Sequence, residues 1–275
     1  MPLKAEHFDS EEFDRYQDID QNVLDGLIRF GSTGCMKKYM RLIIPCNVVK
    51  RKKDVKSILD VGCSTAIFIR FMYNHFRVLF DTDYAYYGFD GNEKSIKSAN
   101  KWLDKASGNK WYSKTKIVHA DIFNKQTWID AGKQHDVVLL TEVIEHIPFK
   151  HTDTLLKLCK RAMADDGTFI FSTPVHHSIN EKMYWPDMHD HEFTKDEVED
   201  MLKRNGFTID ETIGYSASTP RFKRLLKANP QYKATYDSLR RITGHYFATA
   251  IVDTMMCTEL GVAEMYFAVC SKTKA

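Results

Sequence analysis

Between residues 57 and 172, short apolar runs ending in an acidic or turn-forming residue alternate with stretches whose apolar positions recur every three or four residues. The run Ser57-Ile-Leu-Asp-Val61 predicts a buried strand. Gly62 permits a tight turn, and 66–76 has helical spacing with Ser64 or Thr65 placed to cap it. Further strands are predicted over 85–90, 116–120, 135–141 and 168–172, the last preceded by an Asp166-Gly167 turn and stopped by Pro174. Helices are predicted over 94–105 and 154–164. Thr194-Lys-Asp-Glu197 reads as a capping box opening the helix 197–205, which Gly206 closes. A sixth strand over 207–215 and a seventh over 262–270 follow, with 220–257 between them reading as added helices that include 245–256.

Strands alternating with helices imply an α/β fold with a mostly parallel, doubly wound sheet, because right-handed crossovers place helices on both faces. A single domain is expected. It consists of a helical leader over 1–50 (helices over 10–30 and 33–41), a core over 51–215, added helices over 216–260 and a last strand within 261–275. Ligands of such sheets lie beyond the strand carboxyl ends. Asp60, Asp90, Asp121 and Glu142 stand at or just past four of those ends.

Composition narrows the setting. Of 275 residues 43% are hydrophobic and 28% charged, so the chain is globular. No apolar run approaches the length of about 20 residues that a membrane helix needs. The first residues carry no apolar signal-peptide core, and a soluble, cytoplasmic protein with no membrane partner is expected. Cys35, Cys46, Cys63, Cys159, Cys257 and Cys270 are scattered without a Cys-x-x-Cys pair, which argues for reduced structural thiols and against a zinc ribbon or disulfide framework. The net charge of +2 does not favour a nucleic-acid partner; the basic residues at 50–53 and Arg221, Lys223, Arg224 and Lys227 read as solvated faces. No repeats are present, and oligomeric state is not legible.

A dinucleotide site would require Gly-x-Gly-x-x-Gly at the first turn. Here only Gly62 is present, with Cys63, Ser64 and Ala66 where further glycines would stand. Taken in order, Asp60-Val-Gly62, the acid Asp90 after Tyr87-Gly-Phe, His119-Ala-Asp121 and Asp136-Val-Val-Leu-Leu-Thr-Glu142 resemble the successive motifs of class I S-adenosylmethionine-dependent methyltransferases. Glu142-Val-Ile-Glu-His146, Ser172-Thr-Pro174, His191-Glu-Phe-Thr194 and Asn205-Gly-Phe207 extend the match, which spans about 57–206. The family loop usually reads Asp-x-Gly-x-Gly-x-Gly, and Ser64 and Ala66 replace two of its glycines with small residues.

The resemblance implies a Rossmann-like, seven-stranded sheet and S-adenosylmethionine as cofactor. Asp60 and Gly62, with Cys63 and Ser64 of the loop, would approach its methionine part. Asp90 would accept from both ribose hydroxyls, as an acceptor-only carboxylate suits a diol. Asp121 would receive the adenine amino group, Ile122 would pack on the ring, and Glu142 would close the cofactor end. The leader would cover the cofactor.

Methyl transfer from a sulfonium is an in-line displacement that needs alignment, and a base only where the nucleophile must lose a proton. Glu142, Glu145 and His146 are spaced to share one side of a helical turn. They are the candidate catalytic group, with the imidazole of His146 the natural base; equally, the three residues shape the pocket. The acceptor expected is a small molecule or sugar-like group, with no metal. The alternative is a small-RNA 2′-O-methyltransferase, whose metal site the Glu-x-x-Glu-His pattern with a later histidine also resembles. Glu142, Glu145, His146 and His191, or His189 in its place, would then hold a divalent ion such as magnesium or manganese. A non-catalytic cofactor-binding protein is the second alternative. His176, His177, Tyr184, Trp185, Met188 and Tyr246 are the substrate-facing candidates.

Overall fold

Strand β1 (Ser57–Val61) lies inside the sheet, parallel to β2 (Ala85–Asp90) on one side and to β4 (His135–Thr141) on the other. The computed structural model describes residues 33–75, 85–105, 112–176, 189–216 and 219–274. The leader helix expected over 10–30, His177, Tyr184, Trp185, Met188 and the side chain of Tyr246 lie outside the described residues.

Beyond β2 runs β3 (Thr115–His119), and beyond β4 runs β5 (Met163–His176), both parallel to their neighbours. Then β8 (Met265–Lys272) is antiparallel to β5 and to β7 (Phe207–Tyr215), giving the order β3-β2-β1-β4-β5-β8-β7. This is the Rossmann-like, mostly parallel sheet expected. It gains an eighth, two-residue strand, β6 (Phe193–Thr194), paired with the end of β5.

The strands are buried on both faces because successive side chains point to opposite layers. Ile58, Tyr86, Ile117, Val137 and Leu139 meet α1 (Thr33–Arg51), α2 (Ile67–His75) and α3 (Glu93–Lys105) through Leu42, Cys46, Ile69, Met72, Ile96 and Leu103. Leu59, Val61, Phe89, Val138, Leu140 and Phe169 face the other layer: α4 (Lys125–Ala131), α5 (Thr152–Ala162) and α6 (Lys195–Arg204), which contribute Ala131, Leu155, Leu156, Met201 and Leu202. Each fully buried side chain of this kind contributes about 1.5–3 kcal/mol.

Two elements run past their expected limits. Helix α1 continues through Pro45 to Arg51, where Lys50 and Arg51 suit the negative end of the helix dipole. Strand β5 begins at Met163 and passes Pro174. Pairing with β4 has ended by then, at Thr141 opposite Ser172, so the missing proline N–H faces no β4 acceptor, while Val175 N–H still donates to Glu264 O (2.9 Å) on the β8 side.

The added helices are α7 (Thr219–Ala228) and α8 (Pro230–Leu260), which breaks at Gly244 (φ 79°) and is capped by left-handed Gly261. They share a small apolar core of Phe222, Leu226, Tyr236, Val252 and Met256, and α8 packs on β7. Cys46, Cys63, Cys159, Cys257 and Cys270 are free and buried, as the scattered spacing implied. No helix among the described residues is long and apolar enough to cross a membrane.

Candidate functional site

The β1 turn is pinned to β2 by its backbone: the N–H groups of Gly62 and Cys63 both donate to Phe89 O, at 2.9 and 3.0 Å. Gly62 has φ 73°, and a Cβ there would sit 2.5 Å from Val143 Cγ2, so only glycine fits. Ser64 (φ 50°) and Ala66 (φ 57°) are also left-handed. The two positions where the family loop carries glycine therefore do need glycine-like backbone, and this chain accepts the strain.

Asp90 ties the loop together. Its Oδ2 accepts from Ser64 N–H (2.9 Å) and its Oδ1 from Asn92 N–H (2.7 Å), which leaves each oxygen a second lone pair. Burial pushes its carboxyl up, while the two backbone donors, His119 and His146 pull it back. Asp60 is placed differently from a ligand in an open cleft. It is 4% exposed and accepts a 2.6 Å bond from the Tyr86 hydroxyl; burial, with the Asp90 charge adding, pushes its carboxyl up to about 7.

Asp121 is exposed, and its Oδ1 accepts from Phe123 N–H at 2.8 Å. Ile122 is half-buried against the apolar layer that holds Phe89, and its carbonyl accepts from Trp128 Nε1 at 2.8 Å. Asp90 thus ends β2, and Asp121 and Ile122 stand just beyond β3, at one edge of the carboxyl face.

Past β4, Glu142 adopts φ 55° and enters a single 3-10 turn over Ile144–His146. Its Oε1 accepts from Ser172 Oγ (2.7 Å), and Arg41 Nη2 lies 3.9 Å from Oε2. Glu145 is 1% exposed and accepts from Thr173 Oγ1 at 3.0 Å; burial, reinforced by the Glu142 charge, pushes its carboxyl well above the usual range. The His146 and His189 rings meet edge to face with centroids 4.9 Å apart. One ligand-capable atom from each of Glu145, His146 and His189 lies within 4.8 Å of the others. Burial, helped by His146, holds the His189 imidazole below its ordinary value and so favours its neutral, lone-pair-bearing form.

Three expectations are corrected here. His191 is not the histidine that joins Glu145 and His146: its ring packs against Phe149 and Phe193, and its Nε2 lies 3.8 Å from Glu197. Glu142 also stands outside the converging set, engaged with Ser172 and Arg41. His176 is buried rather than substrate-facing, with Nε2 2.7 Å from Glu192 Oε2. Arg41, Tyr86, Thr173 and Glu192 were not anticipated. Of these, only Glu192 had a local signal, its i,i+3 spacing from His189.

A family described as "Methyltransferase domain" matches residues 30–212, the span that holds the loop, the strand-end acids and the Glu142–His146 turn. The chain belongs to this family. It is an S-adenosylmethionine-dependent methyltransferase. No curated protein matches it in sequence. Among solved structures, it resembles the O-methyltransferase from a trans-AT PKS multienzyme of Brevibacillus brevis in complex with S-adenosyl-L-homocysteine. That likeness has 15% identity, 86% of this chain and 73% of that one covered, and a TM-score of 0.54. The cyclopropane synthase MmaA2 from Mycobacterium tuberculosis is similar at 14% identity over 84% of each chain, with a TM-score of 0.52. The cyclase SpnF matches at 13% identity over 84% of this chain and 80% of its own, with a TM-score of 0.54. At such identities the methyltransferase shares their fold alone, and a cyclase among them illustrates that this fold does not dictate the reaction.

Proposed function

We propose that this methyltransferase transfers the methyl group to a hydroxyl of a small or sugar-like acceptor seated against the Glu142–His146 turn. The observation that carries the reading is one of placement: Asp90 ends β2 and the turn that carries His146 follows β4, so both groups stand at the carboxyl ends of the parallel strands that flank β1. A carboxylate suited to a ribose diol and a candidate base therefore share the carboxyl face of the sheet, where ligands of such folds lie. Bound S-adenosylmethionine supplies an electrophilic methyl on a good leaving group. Asp90 binds the ribose hydroxyls through its remaining lone pairs, Asp121 accepts from the adenine amino group, and Ile122 supports the ring. The backbone of Gly62, Cys63 and Ser64 borders the methionine part, and Asp60 holds that turn from within. His146 takes the proton of the acceptor hydroxyl as the C–O bond forms, and Glu142 orders the turn through Ser172.

Calorimetry with S-adenosylmethionine tests the cofactor half. The wild type binds, and Asp90→Ala binds at least about tenfold more weakly, as expected for loss of charge-assisted hydrogen bonds. No binding by the wild type, or equal affinity in the variant, would remove the reading. A screen of fractionated extracts with labelled cofactor then identifies the acceptor.

The convergence of Glu145, His146 and His189 favours a second reading, in which these three hold a divalent ion. A neutral buried imidazole and a carboxylate facing a second carboxylate fit such a cation, which relieves the like-charge contact; mixed oxygen and nitrogen donors suit magnesium, manganese or similar ions. When bound, the ion supplies a Lewis-acid contact for acceptor oxygens. The acceptor is then the terminal ribose of a small RNA, as in the enzymes that the Glu-x-x-Glu-His pattern resembles. Labelled methyl uptake by a short RNA with a free 3′ diol, abolished by a chelator, supports this reading; an RNA left unlabelled in the presence of manganese sinks it.

A further inference from the structure

We infer that Glu192 is the positioning residue of the acceptor-end cluster: held on its far side by His176, it fixes His189 in the orientation and tautomer that a divalent cation at Glu145, His146 and His189 requires. The inference rests on the second reading above and goes beyond its three ligands.

The Glu192 side chain is 0% exposed and lies between two imidazoles, with Oε1 2.5 Å from His189 Nδ1 and Oε2 2.7 Å from His176 Nε2. A carboxylate taken out of water costs several kcal/mol unless it is paired, and here His189 Nδ1 is hydrogen-bonded to one oxygen while His176 Nε2 lies in ion-pair range of the other. With Glu192 as the acceptor of this contact, His189 presents Nδ1 as its N–H, which leaves the lone pair on Nε2. Carboxylate partners of ligating histidines orient ligands in this way, and losing one typically costs 10–100-fold in metal affinity. His176, buried with Nε2 2.7 Å from the second oxygen, blocks rotation of the carboxylate on that side.

The backbone holds this arrangement against the cluster. Asp190 and His191 N–H both donate to Glu145 O (2.8 and 3.3 Å), and Phe149 N–H donates to Asp190 Oδ2 (3.0 Å). The segment 189–191 is thereby fastened to the turn that carries Glu145 and His146. On the other side, pairing of Val175 with Phe193 and of His176 with Thr194 sets Glu192 beside the end of β5. Glu192 is thus placed by two independent frames, and His189 faces His146 at 4.9 Å.

The test uses the full chain and Mn2+ alone, with free ion followed by electron paramagnetic resonance. Wild type is expected to bind one equivalent, His189→Ala to lose binding, Glu192→Gln to weaken it 10–100-fold, and His176→Gln to weaken it by a smaller factor. Unchanged S-adenosylmethionine affinity and melting profile in Glu192→Gln show that the variant folds. A second readout needs no metal: histidine 15N–1H correlation spectra should show His189 as the single Nδ1–H tautomer in wild type and as a mixture in Glu192→Gln. If wild type binds Mn2+ and a folded Glu192→Gln binds it equally tightly, or if wild-type His189 is the Nε2–H tautomer, the role of Glu192 is overturned while the metal reading stands. If wild type binds no Mn2+, the metal reading fails and takes this inference with it.

Discussion

The Tyr86 hydroxyl donates a 2.6 Å hydrogen bond to Asp60 Oδ2, and both residues are buried beneath the cofactor loop. The folded chain holds the Asp60 proton up to about pH 7, whereas an unfolded aspartate releases it near about 3.9. Between those values the native state binds more protons than the unfolded one, so this group makes stability fall as pH rises from about 4 to about 7. Asp60→Asn should remove that slope and be more stable than wild type at pH 8, by on the order of a few kcal/mol, with little difference at pH 4. Denaturant unfolding at the two pH values decides it; a variant less stable at pH 8 contradicts the assignment.

Ser64 and Ala66 carry positive φ without being glycine. The left-handed conformation costs a non-glycine residue roughly 1–2 kcal/mol, part of which glycine returns as chain entropy on unfolding. Ser64→Gly and Ala66→Gly should each stabilise the fold by about 0.5–1 kcal/mol, a rise of about 1–4 °C in Tm. Calorimetric melting reads the effect; a lower Tm for both would show that their side chains make compensating contacts.

Thr194 caps α6: its hydroxyl accepts from Glu197 N–H at 3.2 Å, and the Glu197 carboxylate accepts from Thr194 N–H at 2.7 Å. Thr194→Ala should cost about 1 kcal/mol. Affinity for S-adenosylmethionine should stay the same, because the cap lies on the β5–β6 side, away from Asp90. Weaker cofactor binding in proportion to the lost stability would contradict that separation.

His146→Ala should slow methyl transfer to the acceptor fraction by about 10²–10⁴-fold if its imidazole serves as base, with cofactor affinity nearly unchanged. Glu145→Gln keeps an oxygen for the Thr173 hydroxyl and removes a buried carboxyl next to Glu142. It should be as stable as wild type or more so, yet slower in methyl transfer where Glu145 holds the divalent ion of the second reading. Single-turnover rates with labelled cofactor, measured beside thermal melts, separate the two effects; full activity in His146→Ala leaves that residue a pocket wall.

Much of this was legible because the strands are buried on both faces. The runs at 135–141 and 207–215 coincide with β4 and β7, and the acids at 90, 121 and 142 fall at or just past strand ends, as the alternation required. Thr194 and Glu197 announced their cap through spacing alone. What escaped depends on contacts between distant segments. Pro174 stops a strand unless its neighbour has already ended, which only the register of β4 reveals. His189 and His191 flank Asp190 symmetrically in sequence; Phe149 and Phe193 claim the ring of His191, and Glu192 claims His189. Asp60 read as a ligand because nothing local shows that Tyr86, from the next strand, reaches it.

The antiparallel β8 between β5 and β7 has a consequence during synthesis. β1 to β5 pair with strands made before β5 is complete, but among the described residues β7 pairs with β8 alone, and residues 216–264 must be made before β8 emerges. A nascent chain halted in that interval exposes the edge of β5 and an unpaired β7, both open to strand exchange with other chains. Protection from aggregation on the ribosome therefore depends on how quickly β8 is delivered after β7.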